Sequence, residues 1–219
     1  MRQNVSLAEI SDGHLYKAND MVKADCGGCK GCSQCCRGMG SSIILDPYDV
    51  YQLTTGIGKS MQELLATSVE LNVVDGVILP NLKMQGTREA CAYLDAEGRC
   101  SIHPYRPGIC RLFPLGRHYE NGGLFYFLQT GECVKENRSK VKVSKWIDTP
   151  ELKRNEQFKL QWHDLLSAMT DRVAGEDEGK QREENLLLLR LFYLLPYEGT
   201  TDFYSQFTER MEHWNEQIG

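Results

Sequence analysis

Five cysteines lie within one short stretch of the chain, CGGCKGCSQCC, at residues 26–36. Thiolates are soft ligands that bind zinc, copper(I) or iron–sulfur clusters. Gaps of two residues allow neighbouring thiolates to reach one metal centre, and the interspersed glycines permit the tight backbone turns that this requires. The stretch therefore predicts a metal or cluster site.

A disulfide framework is the alternative use of so many cysteines. Three observations disfavour it: the total of nine cysteines is odd, Cys35 and Cys36 are adjacent, and the N-terminal residues carry no apolar signal segment. Cysteines in a reducing compartment stay available as metal ligands. We therefore expect a cytoplasmic protein with reduced thiols.

The remaining four cysteines, Cys91, Cys100, Cys110 and Cys133, are spread along the next hundred residues. The thiols can be divided in two ways. Cys26, Cys29, Cys32 and Cys36 have the C-x2-C-x2-C-x3-C spacing of bacterial ferredoxins, although Arg37 replaces the usual proline. The second division combines Cys29, Cys32, Cys35 and Cys36 with the four distal cysteines, which is enough for two four-thiolate sites or for one cluster with reserve ligands. The C-x3-C-x2-C spacing of radical enzymes that use S-adenosylmethionine does not occur in the sequence.

A longer pattern resembles a known family. CKGCSQCCRG is followed by CAYLDAEGRCSIHPYRPGICRLFPLG and then by GEC. This order resembles the CxxCxxCC family of zinc- or iron-chelating domains in bacterial cysteine-cluster (YkgJ-type) proteins, which include relatives of flagellin lysine N-methylase. The resemblance covers about residues 26–135. It implies eight metal ligands: Cys29, Cys32, Cys35, Cys36, Cys91, Cys100, Cys110 and Cys133. Cys26 lies outside the pattern and is either an extra ligand or a bystander.

Positive side chains accompany the distal cysteines. Arg106 and Arg111 flank Cys110 in the sequence. Four thiolates around zinc carry a net negative charge, and nearby guanidinium groups offset such charge and donate hydrogen bonds to sulfur. We expect this role for both arginines, and a structural role rather than ligation for His103.

Local signals predict the elements that must hold these thiols. Asp46-Pro47 predicts a helix over residues 47–55, and Ser60 with Glu63 predicts a capping box for the next helix. Asp75-Gly76, Glu97-Gly98 and Asn121-Gly122 predict turns between short antiparallel strands. Residues 14–25 are expected to form a short helix. The fold class is therefore α+β, with a small irregular cysteine-rich domain.

The composition changes after residue 146, where no cysteine remains and helical periodicity begins. The apolar residues Phe158, Trp162, Leu165, Leu166, Met169 and Val173 recur at helical spacing, as do Phe203, Phe207, Met211, Trp214 and Ile218. Residues 181–195 are apolar on nearly every side, so a covering surface is expected. We predict a cysteine-cluster domain at 1–146 and a helical extension at 147–219 that packs on it or offers a surface to a protein partner.

The charge and the apolar runs disfavour two kinds of partner, nucleic acid and membrane. The net charge of −5 gives no basic surface for nucleic acid. The apolar run at 186–195 is about half of the ~20 residues that a membrane span needs, and Arg190 interrupts it. We therefore expect neither nucleic acid nor membrane as a partner.

Three functions remain open at this stage. The preferred one is a metal-binding protein that holds an iron–sulfur cluster, or zinc, for redox chemistry, sensing or metal handling. The resemblance also implies S-adenosylmethionine-dependent protein lysine N-methylation, yet no glycine-rich nucleotide loop follows a strand. The third is a protein-interaction module whose zinc staples the fold. Whether the chain is an enzyme stays open.

Overall fold

Short antiparallel strand pairs make up the sheet content of the protein. A computed structural model describes residues 6–27, 32–135 and 137–218. The strands are β1 (Met21–Asp25), β2 (Val69–Val74), β3 (Val77–Leu82), β4 (Met84–Gln85), β5 (Ala90–Cys91), β6 (Leu115–Glu120), β7 (Gly123–Leu128) and β8 (Ser139–Lys142). They form the antiparallel pairs β1–β8, β2–β3, β4–β5 and β6–β7.

The predicted turns join the two longest hairpins. Asp75-Gly76 connects β2 to β3, and Asn121-Gly122 connects β6 to β7. Asp75 and Asn121 both have positive φ angles, 50° and 51°, a conformation that Asp and Asn tolerate better than most residues. These turn residues therefore bring the flanking apolar runs into register, as predicted.

Helices surround these hairpins. They are α1 (Leu7–Ile10), α2 (Pro47–Ile57), α3 (Met61–Thr67), α4 (Gly108–Leu112), α5 (Val143–Ile147), α6 (Leu152–Val173), α7 (Glu178–Leu189) and α8 (Phe203–Ile218), and Arg190–Leu194 continue α7 as a π-helical turn. Asp46 caps α2 and Ser60 caps α3, each through a complete capping box. Short strand pairs followed by the helices α6–α8 confirm the predicted α+β class with a helical C-terminal region.

One prediction of an element is wrong. Residues 14–25 do not form a helix, because residues 21–25 are the strand β1, which pairs with β8 more than a hundred positions later. Val22 and Ala24 alternate inward with exposed neighbours. Burial of every second residue is typical of a strand, and the local composition did not indicate it.

The larger hydrophobic core joins the early helices to the late ones. Leu45 and Leu53 pack in the same core as Phe158, Phe192 and Phe207. On α6, the predicted apolar face packs in this core: Phe158, Trp162, Leu165, Met169 and Val173 are buried, and Leu166 is partly buried. The division of the chain between residues 146 and 147 stays a prediction.

A smaller core packs β1, β6, β7 and α5 together around Leu112, Leu115 and Tyr126. Helix α4 lies between the two cores: its Leu112 belongs to the smaller core, and its Ile109 and Cys110 pack against the larger one. Among the described helices, none combines the length and apolar character that crossing a bilayer requires.

Candidate metal centre

The first cysteine cluster is joined to the distal cysteines by backbone pairing. Cys35 and Cys36 lie in a short 3-10 turn, Gln34–Cys36. The next residue, Arg37, makes a β-bridge with Ala90, which immediately precedes Cys91. The Gly38 N–H adds a 2.9 Å hydrogen bond to the Glu89 carbonyl. This pairing sets Cys36 beside Cys91, although the two lie far apart in sequence.

A second short connection holds Cys100 near Cys91. The Leu94 N–H donates to the Cys91 carbonyl at 2.9 Å, and Leu94 pairs with Cys100 in a β-bridge. The Glu97-Gly98 turn closes this hairpin, as predicted, with Gly98 at φ 73°. Cys91, Cys100 and Cys110 all pack against the larger hydrophobic core. Three distal thiols are thus held by elements that the core supports.

One cavity of about 1650 Å³ collects these thiols. Six of the cysteines line it: Cys32, Cys35, Cys36, Cys91, Cys100 and Cys110. All six are thiols rather than disulfides. Six of the eight cysteines implied by the resemblance, from distant parts of the chain, therefore lie on the wall of a single cavity.

The other predicted ligands are placed differently. Cys133 follows β7 and is partly exposed, and it is not among the residues that line the cavity. Cys29 lies outside the described residues. Cys26, which the resemblance leaves out, is also absent from the cavity wall. The ligand set as a whole stays a prediction.

The thiols influence one another electrostatically. A hydrogen bond between the Cys35 and Cys36 side chains lowers the pKa of Cys35 to about 7 and raises the pKa of Cys36. Burial raises the pKa of Cys91, Cys100 and Cys110, and the charge of Cys35 raises each of them further. At neutral pH most of these groups therefore hold their protons until a cation offsets the negative charge.

The donor set fits a soft metal. Within the described residues, no three His, Cys, Asp or Glu side chains form a ready-made group around one ion. Converged thiolates repel one another, so their final approach depends on the cation that they bind. Sulfur ligands without carboxylates favour zinc or iron–sulfur clusters over magnesium or calcium. The cysteines on the cavity wall would supply the ligands, and metal binding would draw them together.

Arg106 and Arg111 have different surroundings. The positive charge of Arg106 lowers the pKa of both Cys35 and Cys100, and its guanidinium contacts the His103 ring. Arg111 donates to the backbone carbonyls of Asp148, at 3.2 Å, and Pro104. The charge of Arg106 thus favours the thiolate forms of Cys35 and Cys100, as expected of a charge-compensating group, whereas Arg111 braces the loop around α4.

A buried polar cluster beside α4 was missed at the sequence level. Asp49 accepts a 2.7 Å hydrogen bond from the Gly108 N–H, and Lys159 contacts Asp46. Burial raises the pKa of Asp49 to about 6 and lowers the pKa of Lys159 to about 7. The Asp-Pro-x-Asp pattern at residues 46–49 indicates only a helix start, so the sequence carries no signal for the tertiary contact.

Residues 28–138 match the model of the CxxCxxCC family, described as a "Putative zinc- or iron-chelating domain". Since the match spans just over half of the 219 residues, the chain belongs to this family, and the resemblance drawn from the sequence is confirmed. The match includes the eight implied ligands and leaves out Cys26 and the helices α5–α8. Searches of curated proteins and of solved structures returned no match.

Proposed function

We propose that this protein binds an iron–sulfur cluster, or alternatively zinc, and acts in redox chemistry, sensing or metal handling. The proposed ligands are Cys29, Cys32, Cys35, Cys36, Cys91, Cys100, Cys110 and Cys133. The observation that carries the proposal is the gathering of thiols from distant parts of the chain on one cavity wall. A zinc- or iron-chelating family supports it.

The surroundings of the thiols favour a negatively charged centre. Arg106 lies within electrostatic reach of Cys35 and Cys100, so its positive charge would offset that of thiolates bound to metal. Cys91 and Cys100 are partly buried and pack against the larger apolar core. Solvent exposure, net charge and hydrogen bonds to sulfur set the potential of such a centre.

Iron–sulfur is preferred over zinc on ligand type. A closed four-cysteine zinc site staples a fold, whereas an iron–sulfur cluster held by cysteine supplies one-electron transfer. Eight thiols exceed what one zinc ion requires. We also propose a reducing, cytoplasmic location, because the thiols of the cavity are not paired in disulfides.

Anaerobic purification followed by visible spectroscopy and by iron, zinc and acid-labile sulfide analysis tests this function. Broad visible absorbance with stoichiometric iron and sulfide is the expected result. A colourless protein with stoichiometric zinc would support the metal site but replace the redox function with a structural one. A chain that binds neither metal when both are supplied would overturn the proposal.

A further inference from the structure

Charged side chains from three elements meet at the start of α4, the short helix that carries Cys110. Asp49 lies in α2, Lys159 in α6 and Arg117 in β6, and they meet at Gly108, the first residue of α4. Asp49 is 3% exposed and Lys159 is 4% exposed. Charged side chains are rarely buried to this extent unless they have partners of opposite charge or hydrogen-bond partners.

The Asp49 carboxylate has two distinct bonds. Its Oδ2 accepts from the Asp46 N–H at 3.1 Å, which completes the capping box of α2. Its Oδ1 accepts from the Gly108 N–H at 2.7 Å, a buried contact between residues 59 positions apart. One carboxylate therefore holds the start of α2 and the start of α4 in a single arrangement.

The cationic side chains of Arg117 and Lys159 also lie close to Gly108. If Gly108 had a Cβ atom, this atom would lie 3.0 Å from Arg117 Nη2, 3.4 Å from Lys159 Nζ and 3.5 Å from Asp49 Oδ1. Lys159 also contacts the carboxylate of Asp46. Glycine at 108 thus allows the opposite charges to close around the backbone of α4, and any larger residue would push Arg117 away.

Net stability is a weak reason to retain such a cluster. Replacing a buried charged group by well-packed apolar side chains is often neutral or stabilising, because desolvation offsets the attraction between the charges. A directional hydrogen bond to one particular backbone N–H instead fixes where that part of the backbone lies. The position specified is that of α4, whose Cys110 lies on the cavity wall.

We propose that Asp49 and Lys159 are positioning residues for Cys110 in metal binding. This inference rests on the proposed function, since it requires Cys110 to be a ligand. It adds a contribution from outside the segment that matches the family: Lys159, in the C-terminal helix α6, helps to place a thiol of the metal site. The helical region then helps to place a ligand of the site in addition to covering the core.

Cobalt(II) titration of the full-length, metal-depleted chain tests the proposal, because absorbance from thiolate-to-cobalt charge transfer reports how many thiolates bind. The variants are Asp49→Asn, Lys159→Met, Cys110→Ser and the double variant Asp49→Asn/Cys110→Ser. We expect Asp49→Asn and Lys159→Met to weaken cobalt affinity by about 10- to 100-fold, as loss of groups that orient ligands does, and to lower the charge-transfer intensity as Cys110→Ser does.

The double variant separates positioning from general destabilisation. If Asp49 acts through Cys110, adding Asp49→Asn to Cys110→Ser causes no further loss of affinity; independent effects would add. Gln206→Met is the matched control, because Gln206 is also buried and bonded but holds Glu198 and Thr201 next to α8. It should lower the melting temperature and leave the cobalt spectrum unchanged.

Two results would overturn the inference. In the first, Asp49→Asn and Lys159→Met keep wild-type affinity and spectrum while Cys110→Ser loses intensity; the proposed function then stands alone. In the second, Cys110→Ser itself keeps the spectrum, which removes Cys110 from the ligand set and the inference with it. If Asp49→Asn does not fold, Lys159→Met and its double variant with Cys110→Ser give the same comparison.

Discussion

The Tyr193 hydroxyl donates a 3.1 Å hydrogen bond to the backbone carbonyl of Leu45. Both residues are almost fully buried in the larger core. Leu45 follows the first cysteine cluster and precedes α2, whereas Tyr193 lies in the π-helical turn after α7. The apolar run near the C-terminus is therefore covered by residues that lie just after the first cysteines.

This packing predicts that the C-terminal helices do not fold alone. A fragment of residues 147–219 would lose the Tyr48 ring that packs against Phe158 and Phe203, and the Leu45 carbonyl that Tyr193 contacts. We expect the fragment to aggregate or to stay molten, with weak near-ultraviolet circular dichroism and no cooperative melting. A monomeric fragment that melts cooperatively would contradict this and would show an independent domain.

Substitutions on the two sides of the apolar run at residues 186–195 should change the free energy of unfolding by different amounts. Phe192 is 0% exposed and contacts the rings of Trp162, Phe207 and Trp214, whereas Leu186 is 55% exposed. We expect Phe192→Ala to lower the free energy of unfolding by about 3–5 kcal/mol. Leu186→Ala is the control and should change it by no more than about 0.5 kcal/mol. Chemical denaturation measures both, and equal effects would show that the run is not buried on one side.

Single Cys→Ser substitutions should separate the two divisions of the thiols. Serine keeps the size of cysteine but binds soft metals poorly. We expect metal content per chain to be unchanged in Cys26→Ser and to fall in Cys35→Ser and Cys110→Ser. Metal lost from Cys26→Ser and kept in Cys35→Ser would instead support the ferredoxin-like set. Retention in Cys110→Ser would confine the site to the first cluster.

Metal binding should weaken as the pH falls. Burial raises the pKa of Cys91, Cys100 and Cys110, so these thiols are protonated at neutral pH and a metal must displace their protons. Raising the pH removes that competition and should tighten binding. Competition against a chelator at pH 6, 7 and 8, corrected for the protonation of the chelator itself, measures the trend. An affinity that does not change with pH would mean that the ligands bind without losing protons.

Local sequence signals predicted much of the scaffold that holds the thiols. The N-cap of α2, the capping box of α3 and the turns at residues 75–76 and 121–122 depend on residues within a few positions of the backbone groups that they satisfy. The apolar face of α6 follows from helical periodicity. The strand β1 was missed because its partner, β8, lies far along the chain and local composition does not encode that pairing.

The sequence by itself determined the chemistry of this protein: clustered thiols with family spacing make it a member of a zinc- or iron-chelating family. Only the tertiary structure decided which thiols face one cavity and which buried groups support them. The Arg37–Ala90 bridge sets the first cluster beside Cys91, and the bond from Gly108 to Asp49 ties the helix of Cys110 to α2. Ligand type is a property of each residue, whereas convergence depends on hydrogen bonds and packing between elements that are distant in sequence.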